Sequence, residues 1–376
     1  FIDLSKAFDC LDHKILLSKL RYYGLCPISL ALLESYLSNR YQVTQYNNFV
    51  SDRAQISTGV PQGSILGPLL FLIYMNDFSK STGLTMINYA DDTAITSTVA
   101  ASFPDGQDNL TSEISKISTW LRANKMLINE SKSKVMFFRS RQRSFVPPEI
   151  KINEVTIEEV DKFNYLGIVI DQHLTWNAHV GALSSKICKV IGILNRLKNF
   201  VPCSVLKTIY NSLIHSKLQY GILVWGHGSD FIFKLQKKAV RVMTKSKFFA
   251  HTDPIFQTEN ILKFNDLRRL SELKFYYKLL HGSLPHFFHD FTSDFQYHGY
   301  PTRGRENLNF PQLWHEFARK SLRFTISETI NSSPNEIISK IQTHSLKGFA
   351  LFFKLKTISS YEILCNITNC FVCNNL

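Results

Sequence analysis

The chain has 376 residues, 44% of them apolar, with 43 Lys and Arg against 30 Asp and Glu for a formal charge of +13. That length and apolar content allow two or three domains with a sizeable core, and exclude a disordered tail, a collagen-like repeat and a small disulfide scaffold. Seven cysteines in no paired framework, and residues 1–30 without a basic stretch followed by an apolar one, point to a reducing, intracellular compartment.

In chain order, Phe1-Ile2-Asp3-Leu4 alternates like a strand, and the chain starts on it without a methionine, so a fragment cut within its first element is expected. A helix is predicted at about 13–24, with Asp12 as N-cap and Gly24 as stop, then a second at about 28–39. Residues 41–56 alternate and predict a hairpin. Ser57 to Ser64 is a Gly/Pro loop leading into an apolar helix at about 66–76. The apolar run 68–75 is far short of the roughly 18 to 20 residues of a spanning helix, so no membrane segment is expected. Thr85 to Tyr89 and Thr93 to Thr98 flank Ala90-Asp91-Asp92 as a hairpin with two acids at its tip. An amphipathic helix follows at 107–126, a strand at 133–138, a linker at 140–148, and two or three strands within 150–170. From Trp176 onward the period is helical almost throughout, with turns at Pro202, Gly226-His227-Gly228, Pro254 and Gly282. The fold class is therefore α+β, with a mixed first part joined to a helical second part.

The excess charge is concentrated. Residues 186–247 hold twelve basic side chains and one acid, Asp230, whereas residues 1–100 hold seven basic and eight acidic ones. Such a single-sign field attracts polyanions with an affinity that falls as salt rises. The alternative is the solvated face of a helical bundle whose core is Ile187, Val190, Ile191, Leu194 and Leu197.

Three carboxylates distant in sequence carry the chemistry. Asp3 lies on the strand face opposite Ile2 and Leu4, where an acid is costly unless solvated or paired. Asp91 and Asp92 adjoin at the hairpin tip, tolerable where water or a cation intervenes. Hard oxygen donors without His or Cys suit Mg²⁺ or Mn²⁺, and two such ions promote in-line displacement at a phosphoryl group. A polar turn is the alternative for Asp91-Asp92 alone.

Five blocks, in order over about the first 175 residues, resemble the reverse transcriptases of non-LTR (LINE-type) retrotransposons of the jockey-like group. They are Phe1 to Asp9 with Leu11-Asp12-His13; Gly59-Val60-Pro61-Gln62-Gly63-Ser64 through Phe71; Tyr89-Ala90-Asp91-Asp92; Asn129 to Lys134 leading into Val135 to Phe138; and Phe163 to Ile168 through Trp176. A weaker likeness continues at Leu346-Lys347-Gly348-Phe349. The resemblance implies a right-hand polymerase palm, an antiparallel sheet packed on helices, with its primer-grip region at 1–175. It implies a basic helical thumb at 176–350 and a tail at 351–376, with fingers and an upstream endonuclease absent.

By the same resemblance Asp3, Asp91 and Asp92 are the catalytic, metal-holding aspartates for two Mg²⁺ or Mn²⁺ ions, Asp3 and Asp91 more directly than Asp92. Phe8 matches the steric gate against a 2′-hydroxyl, where otherwise it reads as a packed aromatic. Gln62 and Gly63 match the loop at the incoming nucleotide, which unaided reads as a helix-entry turn. Tyr89 lines the primer terminus. Lys132 is a candidate general acid toward pyrophosphate, with Lys134 competing. Tyr165, Leu166 and Gly167 form the primer grip. The implied partners are an RNA template, a DNA primer, dNTPs and target chromosomal DNA, in the nucleus during integration and the cytoplasm as a ribonucleoprotein.

The function implied is RNA-directed DNA polymerisation from a DNA 3′-hydroxyl. The alternative is a catalytically inactive remnant that binds nucleic acid through its basic helices, with another nucleotidyl transfer such as cyclisation as a third. Cys365, Cys370 and Cys373 are one ligand short of a zinc site, and His281, His286 and His289 read as exposed residues near a helix end. The sequons at Asn109, Asn331 and Asn366 read as inert.

Overall fold

A computed structural model describes residues 1–98, 105–139, 147–227, 230–288, 308 and 319–361, with the backbone alone at 105–109 and 286. The chain divides into two compact units, Phe1–Gly167 with Asp171–His173, and Ile168–Ile170 with Leu174–Leu376. Each has its own buried apolar cluster.

In the first unit α1 (His13–Tyr22) starts where the Asp12 carboxylate accepts hydrogen bonds from the backbone N–H groups of Lys14 and Ile15, satisfying two donors that a helix start leaves unpaired. It stops before Gly24, whose φ of 89° a side chain would resist. Helix α2 (Pro27–Leu37) follows. The predicted hairpin at 41–56 is two nested ladders, β1 (Arg40–Gln42) on β4 (Ala54–Ile56) and β2 (Gln45–Tyr46) on β3 (Phe49–Val50). Helix α3 (Leu66–Met75) buries Leu70, Phe71, Tyr74 and Met75.

Strands β5 (Thr85–Tyr89) and β6 (Asp92–Thr96) pair antiparallel, from Thr85 opposite Thr96 to Tyr89 opposite Asp92. The opening segment is no regular strand. It is held by isolated antiparallel bridges, Ile2 to Thr93 on one side and Leu4 to Ile128 on the other. Its placement between β6 and the segment 127–135 is completed by Ser5 N–H donating to Leu127 O (2.8 Å) and Lys134 N–H to Phe1 O (3.0 Å). The predicted strand at 133–138 shortens to β7 (Lys134–Val135), whose outer neighbour β10 (Glu158–Glu159) runs parallel to it. Between them come β8 (Lys151–Ile152) and β9 (Val155–Thr156) as a small hairpin. Helix α4 (Asp105–Ala123) contributes Ile114, Ile117 and Leu121 to the same core as Ile2, Leu4, Leu70 and Phe71. Burying each such side chain contributes about 1.5–3 kcal/mol, which holds the first segment in the sheet although its ladder is short.

Strands β11 (Lys162–Tyr165) and β12 (Ile168–Asp171) close the strand-bearing part. The rest of the described chain is helical, beginning with α5 (Asn177–Leu197) and α6 (Cys203–Tyr210). Residues Asn211–His215 form a π-helical turn continuing into α7 (Ser216–Gln219). Then come α8 (Ile222–Trp225), α9 (Asp230–Met243), α10 (Asp253–Thr258) and α11 (Phe264–Leu280). Last are α12 (Leu322–Asn331), α13 (Asn335–Thr343) and α14 (Leu346–Ser359). Pro254, expected at a turn, instead sits in the first turn of α10, where its missing N–H costs nothing. The buried Gln236 amide donates to Tyr210 Oη (3.1 Å) and Leu262 O (3.0 Å), and its oxygen accepts from Phe264 N–H (2.8 Å). One side chain thereby satisfies the buried start of α11.

Candidate active site

The site is set by strand parity. Ile2 and Leu4 are buried, so Asp3 projects to the opposite face of the sheet. The Ile2–Thr93 bridge is antiparallel, and Ile2 N–H donates to Thr93 O at 2.8 Å. One step along, that register carries Asp3 opposite Asp92, where side chains of facing residues approach closely. The other edge of Asp3 is fixed as well. Its carbonyl accepts from Asn129 N–H (2.8 Å) and its N–H donates to Ser133 Oγ (3.2 Å), a hydroxyl that is 1% exposed by residue and itself donates to Asn129 O.

Asp91 lies at the turn next to Asp92. The preceding Ala90 has φ 53°, a left-handed conformation that costs an L-residue about 1–2 kcal/mol. Such strain concentrates at functional sites, and here it lets Tyr89 face Asp92 across a two-residue turn while leaving Tyr89 66% exposed. The Asp92 carboxyl is held above the usual carboxylate range, first by burial and then by the negative charges of Asp91 and Asp3. Asp92 therefore feels the charge of both other predicted carboxylates.

Lys132 Nζ stands 3.9 Å from Asp3 Oδ2, with both side chains partly exposed. Its competitor Lys134 is engaged elsewhere, donating to Ser131 O (2.8 Å) and to the Glu158 carboxylate (2.5 Å). Tyr165 also faces this cluster. Its hydroxyl is buried without a hydrogen-bond partner, and burial followed by the Asp92 charge pushes its acidity down and its pKa up. Leu166 and Gly167, at φ 48° and 78°, make the turn that follows it.

Phe8 and Gln62 come together through backbone zipping. Val60 N–H donates to Phe8 O (3.0 Å), Gly59 N–H to Leu11 O (2.7 Å) and Thr58 Oγ1 to Asp9 O (3.0 Å). Gly59 is required there, because a Cβ would stand 2.8 Å from the Asp9 backbone at a φ of 83°. The Phe8 ring stacks on the fully buried Phe71 with centroids 4.3 Å apart, so one face is packed while the residue remains half-exposed. Gln62 Nε2 donates to Asp9 Oδ1 at 2.8 Å. Gly63 has φ 83° and open space around it.

The sequence pointed to neither Asp9 nor the Tyr165 hydroxyl. Asp9 stands within the first block, but its partner Gln62 is 53 residues away, and spacing along the chain gives no sign of that contact. Among the described residues, no three acidic, histidine or cysteine side chains are grouped closely enough to hold a metal ion as they stand. Cys365, Cys370, Cys373, His289 and the His286 side chain lie outside the described residues. No described helix is long and apolar enough to cross a membrane.

Comparison with known proteins returns a single family description for the first unit. Residues 1–170 match the model for reverse transcriptase (RNA-dependent DNA polymerase). The chain is 30% identical over 262 residues to a probable RNA-directed DNA polymerase from transposon X-element of Drosophila melanogaster, covering 66% of this chain and 28% of that protein. It is 28% identical over 284 residues to the RNA-directed DNA polymerase from mobile element jockey of the same fly, covering 71% and 30%. To the jockey polymerase of Drosophila funebris it is 26% identical over 294 residues, covering 74% and 32%. The chain thus spans about 30% of the length of these curated relatives.

Proposed function

Residues 1–170 belong to the reverse transcriptases, of the jockey-like, non-LTR kind, and on that premise we propose that Asp3, Asp91 and Asp92 are the catalytic carboxylates of a polymerase palm. The reaction is transfer of a nucleotide from a dNTP to a DNA 3′-hydroxyl on an RNA template. The observation that carries this reading is the register that sets Asp3 opposite Asp92, with Asp91 at the adjoining turn and the charges of both acting on Asp92.

The donors are chemically those of a hard divalent cation, carboxylate oxygens without His or Cys, although the three side chains must draw closer together to hold one. Carboxylate oxygens raise one another's proton affinity only while nothing positive lies between them, and Mg²⁺ or Mn²⁺ is the ion such oxygens favour. When bound, two such ions supply Lewis-acid activation of the attacking hydroxyl and charge neutralisation of the leaving pyrophosphate. The chain's own residues do the rest. Phe8, immobilised against Phe71, presents a fixed ring edge that a ribose 2′-hydroxyl would strike, giving preference for deoxynucleotides. Asp9 restrains Gln62 and with it the loop whose glycine backbone borders the incoming nucleotide. Lys132 is free of the ion pair that occupies Lys134, and can give its proton to the departing pyrophosphate. Tyr89 and the turn at Leu166 and Gly167 border the primer end, and the basic helices of the second unit take the duplex phosphates as the thumb.

Metal binding tests the assignment directly. Titrating the chain with Mn²⁺ and following the free ion by electron paramagnetic resonance is expected to show saturable binding. Asp3→Asn and Asp91→Asn should each weaken it at least tenfold, and Lys132→Ala should not. Equal Mn²⁺ affinity in wild type and both aspartate variants would remove the carboxylates from the role.

A further inference from the structure

The second unit contains a cavity of about 490 Å³ that has no part in the polymerase reading. Lys207, His215, Lys274 and Lys354 line it from three directions: the α6–α7 helix, α11 and α14. All four are half-buried. Lys207 donates to the Glu259 carbonyl (2.8 Å) and pairs with the Glu259 carboxylate at 3.0 Å. Lys274 and Lys354 pair with no carboxylate among the described residues, so three amines face one acid. Burial lowers the proton affinity of Lys274 and Lys354, and the neighbouring charges of Lys278 and Lys207 respectively lower it further. The His215 Nδ1 is buried with no hydrogen-bond partner.

The backbone adds a second sign of function. Between α6 and α7 the helix widens to a π turn over Asn211–His215, with Ser216 N–H donating to Asn211 O, five residues back. Such a turn weakens a helix and recurs at functional sites, and this one ends on the histidine whose Nδ1 lacks a hydrogen-bond partner. Desolvated like charges destabilise a fold unless an anion joins them. Phosphate offers several acceptor oxygens and up to two charges, matching three amines and a ring nitrogen. The remaining wall is mixed, with Leu267, Leu270 and Leu351 beside the amide side chains of Asn211, Gln219 and Asn260, and the volume lies in the range of small-ligand sites. A bare inorganic ion would leave that wall empty. A sugar and base would cover it.

We propose that this cavity binds the phosphate of a nucleotide unit, with Lys274 and Lys354 as its principal cationic contacts. The ligand is a free nucleoside monophosphate or the phosphorylated end of a strand. No residue assigned to metal binding, the incoming nucleotide or the primer end lines the cavity, and Lys274 and Lys354 lie outside the basic stretch 186–247, so failure here leaves the catalytic reading untouched and the reverse also holds.

The test uses the full chain and a fluorescently labelled AMP, followed by anisotropy at moderate salt. Wild type is expected to bind with a Kd below about 1 mM, and Lys274→Gln with Lys354→Gln at least tenfold more weakly, about what one lost charge-assisted contact costs. A control, Lys14→Gln with Lys162→Gln at exposed positions of the first unit, should stay within about twofold of wild type. Removing two desolvated amines should leave the melting temperature equal or higher. If that double variant fails to fold, Lys354→Met alone replaces it. A 5′-phosphorylated oligoadenylate that outcompetes its 5′-hydroxyl counterpart in wild type, but not in the variant, identifies a strand end. Equal competition by both, with AMP binding retained, identifies a free nucleotide. The proposal is overturned if wild type does not bind AMP, or if the cavity variant binds it as wild type does.

Discussion

Among single residues, the arrangement most characteristic of a working site is one that opposes stability. Asp92 faces Asp3 across an antiparallel register and adjoins Asp91, and its carboxyl is held above the ordinary range by burial and then by those charges. The folded chain therefore binds this proton more tightly than the unfolded chain, so stability falls as pH rises through the carboxylate range and levels off above the folded pKa. Asp92→Asn is accordingly expected to raise the melting temperature at pH 7 by about 1 to 3 °C, and the difference should close near pH 3, where both side chains are neutral. A variant less stable than wild type at pH 7 would show that the carboxylates do not repel. These three residues could be singled out in the sequence as candidates, because the blocks that carry them are short contiguous strings. The contacts supporting them could not. Asp9 reaches Gln62, and Tyr165 turns its hydroxyl toward Asp92, through tertiary pairings that have no period along the chain.

Elements were legible where side chains alternate against one core face. The helices at His13–Tyr22, Pro27–Leu37, Leu66–Met75 and Asp105–Ala123 lie within a few residues of expectation because caps and apolar spacing mark them. Short strands were blurred. The segment at Phe1 to Ser5 and the one at Lys134–Val135 hold by a few bridges to distant neighbours, which local pattern overstates. The π turn at Asn211–His215 was invisible, since one extra residue in a helical period leaves the apolar spacing nearly unchanged. One acid ties elements together. The Glu113 carboxylate on α4 accepts from Lys116 (2.5 Å), from Thr82 Oγ1 (2.6 Å) and from Gly83 N–H (2.6 Å), anchoring the approach to β5. Those bonds, with Lys116 the largest influence, push its pKa down to about 2. Its contribution is then fully present above about pH 4.5 and lost as pH falls toward 2. Urea midpoints of wild type and Glu113→Gln should differ at pH 7 and converge by about pH 2.5. A gap independent of pH would mean that the carboxylate charge is not what anchors the strand.

At the scale of the whole molecule, charge and chemistry lie in different places. The acidic cluster is in the first unit, and the basic excess at 186–247 is in the second. A polymerase needs both, a metal-holding centre and a surface for phosphate backbones, and a binding protein without catalysis needs only the basic part. The mixed first part and helical second part could be read from the change of period near Trp176. What could not be read is the interior of the second unit, where lysines distant in sequence line one cavity. The measurement that bears most directly on the central claim is primer extension on an RNA template, with purified wild type and Asp91→Ala compared in Mg²⁺ and in excess chelator. The account predicts deoxynucleotide incorporation by wild type that chelator abolishes and that Asp91→Ala lowers by at least about a thousandfold. Incorporation that is equal in the two proteins, or absent from both, would contradict it.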